Sequence, residues 1–297
     1  MLVGRKKLRV LGLKTGLNTG IVLICLFVFA RQGYAQQQFA TLPDATLTEQ
    51  VPPYILHQSF PRDMEEGRPE QLFFDAMARN LFEDAGLSFV EQPQQPWKRA
   101  YQETIYGPRH VIYPTTRTED REDKLKWVGP ISRTFWNLYS RKNSVWAGRS
   151  LAEIFKSARI GVAMGSAREH YLRKRGAQNV VAFARDEQLF AMLNADRVDV
   201  LAMGVPSIDF LTHSSEQPEI DIGRLTSYRV CYLYFALSKD SPDTDITDLQ
   251  NSLEQFYRDG RFLAMRRKFD LNADPESNFI KAITNPENRN VGCKDID

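Results

Sequence analysis

The residues best suited to chemistry lie in one short stretch, Thr115-Thr116-Arg117-Thr118-Glu119-Asp120-Arg121-Glu122. Threonine hydroxyls, turn N–H groups and two guanidinium groups are what holding a carboxylate requires, because a guanidinium meets both carboxylate oxygens at once. Thr118 is placed to cap a helical turn whose acids suit its positive end. Two other segments offer aromatic faces. In Val51-Pro52-Pro53-Tyr54 the prolines fix an extended backbone that presents Tyr54. In Pro96-Trp97-Lys98-Arg99-Ala100-Tyr101 the proline opens a helix and puts Trp97 in its first turn. Plainer readings stand beside these: a solvated charged turn, and Trp97 as a core residue.

Other chemistries find little support. The four histidines are His57, His110, His170 and His213, and none has a His or Cys at metal-ligand spacing. No metal and no cofactor are therefore expected. The sequence contains no G-x-S-x-G, no Walker loop and no G-x-G-x-x-G. Glu103 and Asp209 are the carboxylates to inspect for an acid–base enzyme, the alternative reading, which needs a raised pKa in a cleft. Cys231 and Cys293 either pair as a disulfide or remain one buried and one loose thiol; the sequence leaves both open.

These residues need elements to position them. Apolar spacing predicts a helix over 69–85 stopped by Gly86, a strand over 87–90, and a helix over 97–106 stopped by Gly107. Strands are expected at 110–113, within 128–139, and at 159–163, 179–183, 198–203 and 228–237. Ser166-Ala167-Arg168-Glu169 reads as a capping box opening a helix to Gly176. Further helices are expected at 186–195, where Asp186 caps, and at 245–259 and 261–269. From Asn272 onward the chain reads as a polar surface tail. Strands alternating with helices imply βαβ units and a mostly parallel sheet, with ligands at the strands' C-terminal ends.

The 297 residues carry a formal net charge of +2, but Arg5, Lys6, Lys7, Arg9, Lys14 and Arg31 stand in the first 35 with no acid. Subtracting those six leaves the remainder near −4, the wrong sign for a nucleic-acid partner. The basic stretch, the apolar run 21–30 and Gly33-Tyr34-Ala35 read as a signal peptide over 1–35, cleaved after Ala35.

Val51-Pro-Pro-Tyr54, Pro96-Trp-Lys-Arg-Ala-Tyr101, Arg117-Thr-Glu-Asp-Arg-Glu122, Trp127-Val-Gly-Pro-Ile131, Ile160-Gly-Val-Ala-Met-Gly-Ser166 and Met192-Leu193…Arg197-Val-Asp199 occur in this order. With the signal peptide they resemble the family 3 extracellular solute-binding proteins, the periplasmic polar amino-acid ABC-transporter type, over roughly residues 44–270. The resemblance implies an α/β, two-lobed type II periplasmic binding protein fold, each lobe a mostly parallel sheet flanked by helices. Lobe one would be 36–133 and 229–297, lobe two 134–228, joined by two crossing strands near 131–138 and 225–233. It also implies a monomer in the periplasm that hands a small-molecule solute to the permease of an ABC transporter, or feeds a sensor. Arg121 would clamp the solute's carboxylate, with Thr116 as a neighbouring donor and Arg117 assisting. Trp97 and Tyr54 would supply flat contact, and Gly165 and Ser166 the donors from the second lobe. Asp199 is followed five residues on by Gly204, where amino-acid-binding members carry an Asp for the α-ammonium group.

Overall fold

Two strands of 17 residues each carry the architecture, β4 (Leu125–Arg141) and β8 (Ile222–Ser238). Both are rich in aromatic and β-branched residues, and Cys231–Ser238 is buried without interruption, the pattern of a strand covered on both faces. They pair antiparallel from Leu125 opposite Ser238 to Arg141 opposite Ile222, with the register shifting after Val128, Trp136 and Leu138. The structure, a computed structural model, describes residues 51–59, 69–93, 95–204 and 221–296. The expected signal peptide, Asp209 and His213 lie outside them.

The remaining strands attach to opposite ends of this pair. The sheet order is β2-β1-β3-β8-β4-β7-β5-β6, with β9 added beside β8. On one side, β1 (Tyr54–Gln58) lies parallel between β2 (Phe89–Glu91) and β3 (His110–Thr116), and β3 runs antiparallel to β8. On the other side, β5 (Arg159–Ala163) lies parallel between β6 (Asn179–Phe183) and β7 (Val200–Gly204), and β7 runs antiparallel to β4.

Helices cover both faces. They are α1 (Pro69–Asp84), α2 (Trp97–Tyr106), α3 (Leu151–Ser157), α4 (Ala167–Lys174), α5 (Asp186–Asn194), α6 (Asp243–Arg258), α7 (Arg261–Lys268) and α8 (Asn278–Thr284). One core gathers Phe73, Met77, Leu81, Tyr234, Phe256 and Phe262 under α1, α6 and α7. A second gathers Trp136, Ile154, Ile160, Leu172 and Tyr228 under α3 and α4. Among the described residues no helix is long and apolar enough to cross a membrane.

The C-terminal segment departs from the expected surface tail. Ile280 and Ile283 of α8 are buried in the first core, and β9 (Cys293–Asp295) pairs with β8. The helix carries Phe279, Ile280, Ala282 and Ile283 at helical spacing, but seven residues amid polar neighbours make too short a run for a clear periodic signal. Cys231 and Cys293 face each other across β8 and β9 and are joined as a disulfide. Asp295 then accepts from the Tyr171 hydroxyl and from Arg175, and pairs with Arg229, so the end of the chain is bound to α4 and β8.

Candidate functional site

Three segments converge at the site: the first turn of α2, the turn after β3, and the first turn of α4. The β3 strand ends at Thr116, and a short 3-10 turn follows over Glu119–Arg121. Thr118 stands at its start but its side chain makes no capping bond, which differs from expectation. A three-residue turn of this kind is closed instead by backbone bonds, Arg121 N–H to the Thr118 carbonyl and Glu122 N–H to the Glu119 carbonyl.

That turn folds Arg121 inward. The residue is 5% exposed, and its Nη1 donates to the Thr116 carbonyl at 2.9 Å. Its guanidinium carbon lies 4.8 Å from the Trp97 ring centre and 4.7 Å from that of Tyr101. The two rings are stacked on each other, 4.8 Å apart, as expected of residues one helical turn apart. Burial pulls the Arg121 pKa down while Tyr101 opposes the shift, and the group stays cationic at neutral pH. Among the described residues no carboxylate comes within ion-pair distance of it. A buried charge without a counter-ion is costly, several kcal/mol on the general scale for ions.

The first turn of α4 faces this arginine. Ser166 caps the helix, accepting from the Glu169 N–H at 3.2 Å, as the capping-box pattern predicts. The Glu169 side chain, however, reaches past Ser166 to the Gly165 N–H at 2.6 Å. The Gly165 N–H is therefore engaged within the chain, while the Ser166 hydroxyl serves here as an acceptor. Gly165 adopts φ +71°, and a Cβ there would stand 3.3 Å from the Lys98 side chain, so the starts of α2 and α4 nearly touch. Two side-chain contacts join α4 to the turn after β3, His170 Nε2 to Asp120 at 3.0 Å and Lys174 to Glu119 at 3.6 Å.

Arg168 is the residue the sequence reading missed. Its charge bears on both Arg121 and Tyr228, and its Nε is buried with no hydrogen-bond partner. The signal was present: a cation in the first turn of a helix opposes the macrodipole and calls for a reason.

Other expected residues lie elsewhere. Tyr54 is fully buried in the first core, packed edge-on against Phe82, and its hydroxyl donates to Asp245 at 2.7 Å. Burial, with Asp245 adding, raises its pKa to about 12. The two prolines thus lead into a core strand and do not present Tyr54 on an open face. Arg117 grips Glu122 with two donors, at 2.7 and 2.9 Å, and reaches Arg289 and Asn290 of the tail with a third. Thr116 contributes its carbonyl to Arg121, as described. A pocket of about 490 Å³ lies behind the turn, between Asp120, His170, Arg229 and Asp295, with both signs of charge on its walls.

By sequence the chain matches no protein family and no curated protein. Solved structures do match. A mutant of ArgBP from T. maritima superposes with TM-score 0.61 at 15% identity, over 73% of this chain and 94% of that one. A histidine kinase sensor domain with similarity to periplasmic binding proteins gives 0.64 at 12%, over 73% and 95%. An ABC uptake transporter substrate binding protein from Streptococcus pneumoniae with bound histidine gives 0.61 at 16%, over 73% and 91%. The chain has the periplasmic-binding-protein fold. The resemblance to family 3 solute-binding proteins therefore holds at the level of the fold. In a periplasmic-binding-protein fold the long β4–β8 pair and the separate cores at its ends are the elements that bring the turn after β3 opposite α4.

Proposed function

We propose that this chain is an exported solute-binding protein that captures a small polar, carboxylate-bearing solute between two lobes. The lobes would be 36–133 with 229–297, and 134–228, and β4 and β8 would be the crossings about which they close. After loss of the signal peptide the chain would act in the periplasm as a monomer and deliver its solute to the permease of an ABC transporter. The observation that carries this reading is Arg121, buried beside Trp97 and Tyr101 with no carboxylate on it among the described residues. A solute carboxylate would supply the missing counter-ion and accept two parallel bonds. Arg168 adds a second cation, which favours a solute with more than one negative charge. Gly204 ends β7 with no side chain to meet an ammonium group, so an α-amino group is not a required feature of the solute.

An acid–base enzyme reading gains nothing from Glu103. Bonds from Gln95 and Arg99 hold its carboxyl below the ordinary range, the opposite of what a general acid needs. A sensory role is the second reading, since a sensor domain shares this fold.

Thermal denaturation with amino acids, dicarboxylates, polyamines and aromatic acids tests the proposal. A solute at 100 times its Kd stabilises the native state by about 2.7 kcal/mol. Carboxylates should raise Tm and polyamines should not, and Arg121→Ala should abolish the shift. Stabilisation by polyamines alone, or an Arg121→Ala protein with undiminished affinity for the solute, would remove the carboxylate clamp.

A further inference from the structure

We propose that His57, His110 and Glu103 form a binding site for one divalent transition-metal ion, zinc in the first instance. The two histidines are 53 residues apart in sequence, and strand pairing brings them together. β1 and β3 run parallel with Ile55 opposite His110 and His57 opposite Ile112, so positions 57 and 110 lie diagonally on one face of the sheet. That face is covered by α2, whose second turn carries Glu103.

The donor atoms already converge. His57 Nε2 stands 2.7 Å from His110 Nδ1 and 3.9 Å from Glu103 Oε2, and one donor atom from each residue fits within 4.8 Å of the others. Ligand atoms about 2.1 Å from a tetrahedral zinc are about 3.4 Å apart, so the imidazoles must part by about 0.7 Å and the carboxylate close on His57 by about 0.5 Å. Two imidazoles and a carboxylate, with a fourth position for water, are a donor set suited to zinc.

The surroundings look built for these rings. Gly107 leaves the space that the His110 ring uses, for a Cβ there would stand 2.7 Å from its Nε2. The backbone N–H of His110 donates to Ser238 Oγ at 2.7 Å. The outer shell is present as well. The Gln95 amide touches both His57 Nδ1, at 3.0 Å, and Glu103 Oε2, at 2.7 Å, and Arg99 holds the other Glu103 oxygen at 2.9 Å. With the amide donating, His57 carries its proton on Nε2 and gives it to His110. On metal binding that proton moves to Nδ1 and the amide turns its carbonyl to receive it, the usual outer-shell arrangement for a ligating histidine. No proton is lost overall, since His57 changes tautomer and His110 Nδ1 already offers its lone pair. The ion would clip the second turn of α2 to β1 and β3.

The test uses the untagged chain, stripped with chelator and titrated with zinc chloride by calorimetry, with Co²⁺ absorption as an independent readout of tetrahedral ligation. One equivalent of zinc per chain, a Tm that rises with zinc, and a tetrahedral Co²⁺ spectrum are expected. Glu103→Gln and His110→Ala should each weaken binding by at least the roughly 10–100-fold that loss of an outer-shell partner costs. His170→Ala should bind like the parent. Glu103 is partly exposed, so its variant keeps the test valid should His110→Ala fail to fold. Absence of stoichiometric binding, or zinc affinity unchanged in Glu103→Gln, would overturn the site.

Discussion

Removing the disulfide should cost this protein a large part of its stability, and chiefly through the unfolded chain. Cys231 and Cys293 are 62 residues apart, and closing a loop of that length removes about 4 kcal/mol of unfolded-state entropy at 25 °C on the chain-entropy argument. The native side should change little, because Asp295 is still held by Tyr171, Arg175 and Arg229 and β9 still pairs with β8. For a folded unit of this size about 4 kcal/mol corresponds to a fall in Tm of about 8–16 °C. The perturbation is the double substitution Cys231→Ala and Cys293→Ala, with alanine chosen because Cys231 is fully buried and a serine hydroxyl there would lack a partner. Urea and thermal unfolding of parent and variant, each with and without reductant, give the measurement. Reductant should lower the parent to the level of the variant and leave the variant unmoved. A variant within about 1 kcal/mol of the oxidised parent would refute the loop-closure reasoning.

Asp199 accepts from the Arg159 backbone N–H, Nε and Nη2 at 2.8, 3.0 and 2.6 Å, which pins the start of β7 to the start of β5. Asp199→Ala should cost about 1–2 kcal/mol in urea unfolding at pH 7, at the low end for bonds to a charged group because Arg159 is half exposed. The Arg159 bonds hold the Asp199 pKa below its ordinary 3.8, so its contribution is present above that value and disappears as pH falls through the depressed folded one. The gap between parent and variant should therefore close at low pH, and a gap that persists there would show that the charge is not the cause. Ile283→Ala should cost about 2–4 kcal/mol as a core truncation, and a change under about 0.5 kcal/mol would mean that α8 does not dock.

Much of the fold was legible because its elements announce themselves locally. α4 has its cap in Ser166 and its stop at Gly176, and α2 has Pro96 before it and Gly107 after it, so their bounds could be read within a residue or two. β4 and β8 were placed but underestimated. Their outer turns, such as Ile222–Ser227, are only partly buried and lack the apolar signature that marked 228–237. The site divides the same way. Trp97 and Arg121 come together because a helix start and a strand end are local features. Arg117 and Tyr54, equally conspicuous in sequence, are used by the tail and the core, and nothing local distinguishes a guanidinium that meets Glu122 from one that does not. The His57–His110 pair had no local trace, since only the parallel registry of β1 and β3 makes neighbours of residues 53 apart.

The stacking of Trp97 on Tyr101 beside Arg121 gives the molecule a built-in optical gauge. An indole held at van der Waals distance from a second ring and next to a guanidinium emits according to what that guanidinium is doing, because a nearby charge shifts and quenches its fluorescence. The other three tryptophans, Trp127, Trp136 and Trp146, pack in or against the cores, and Trp127 shares a cluster with Trp97 and Tyr101. Arrival of an anion at Arg121 can thus be followed in the unlabelled chain as the part of the spectrum that vanishes in Trp97→Phe.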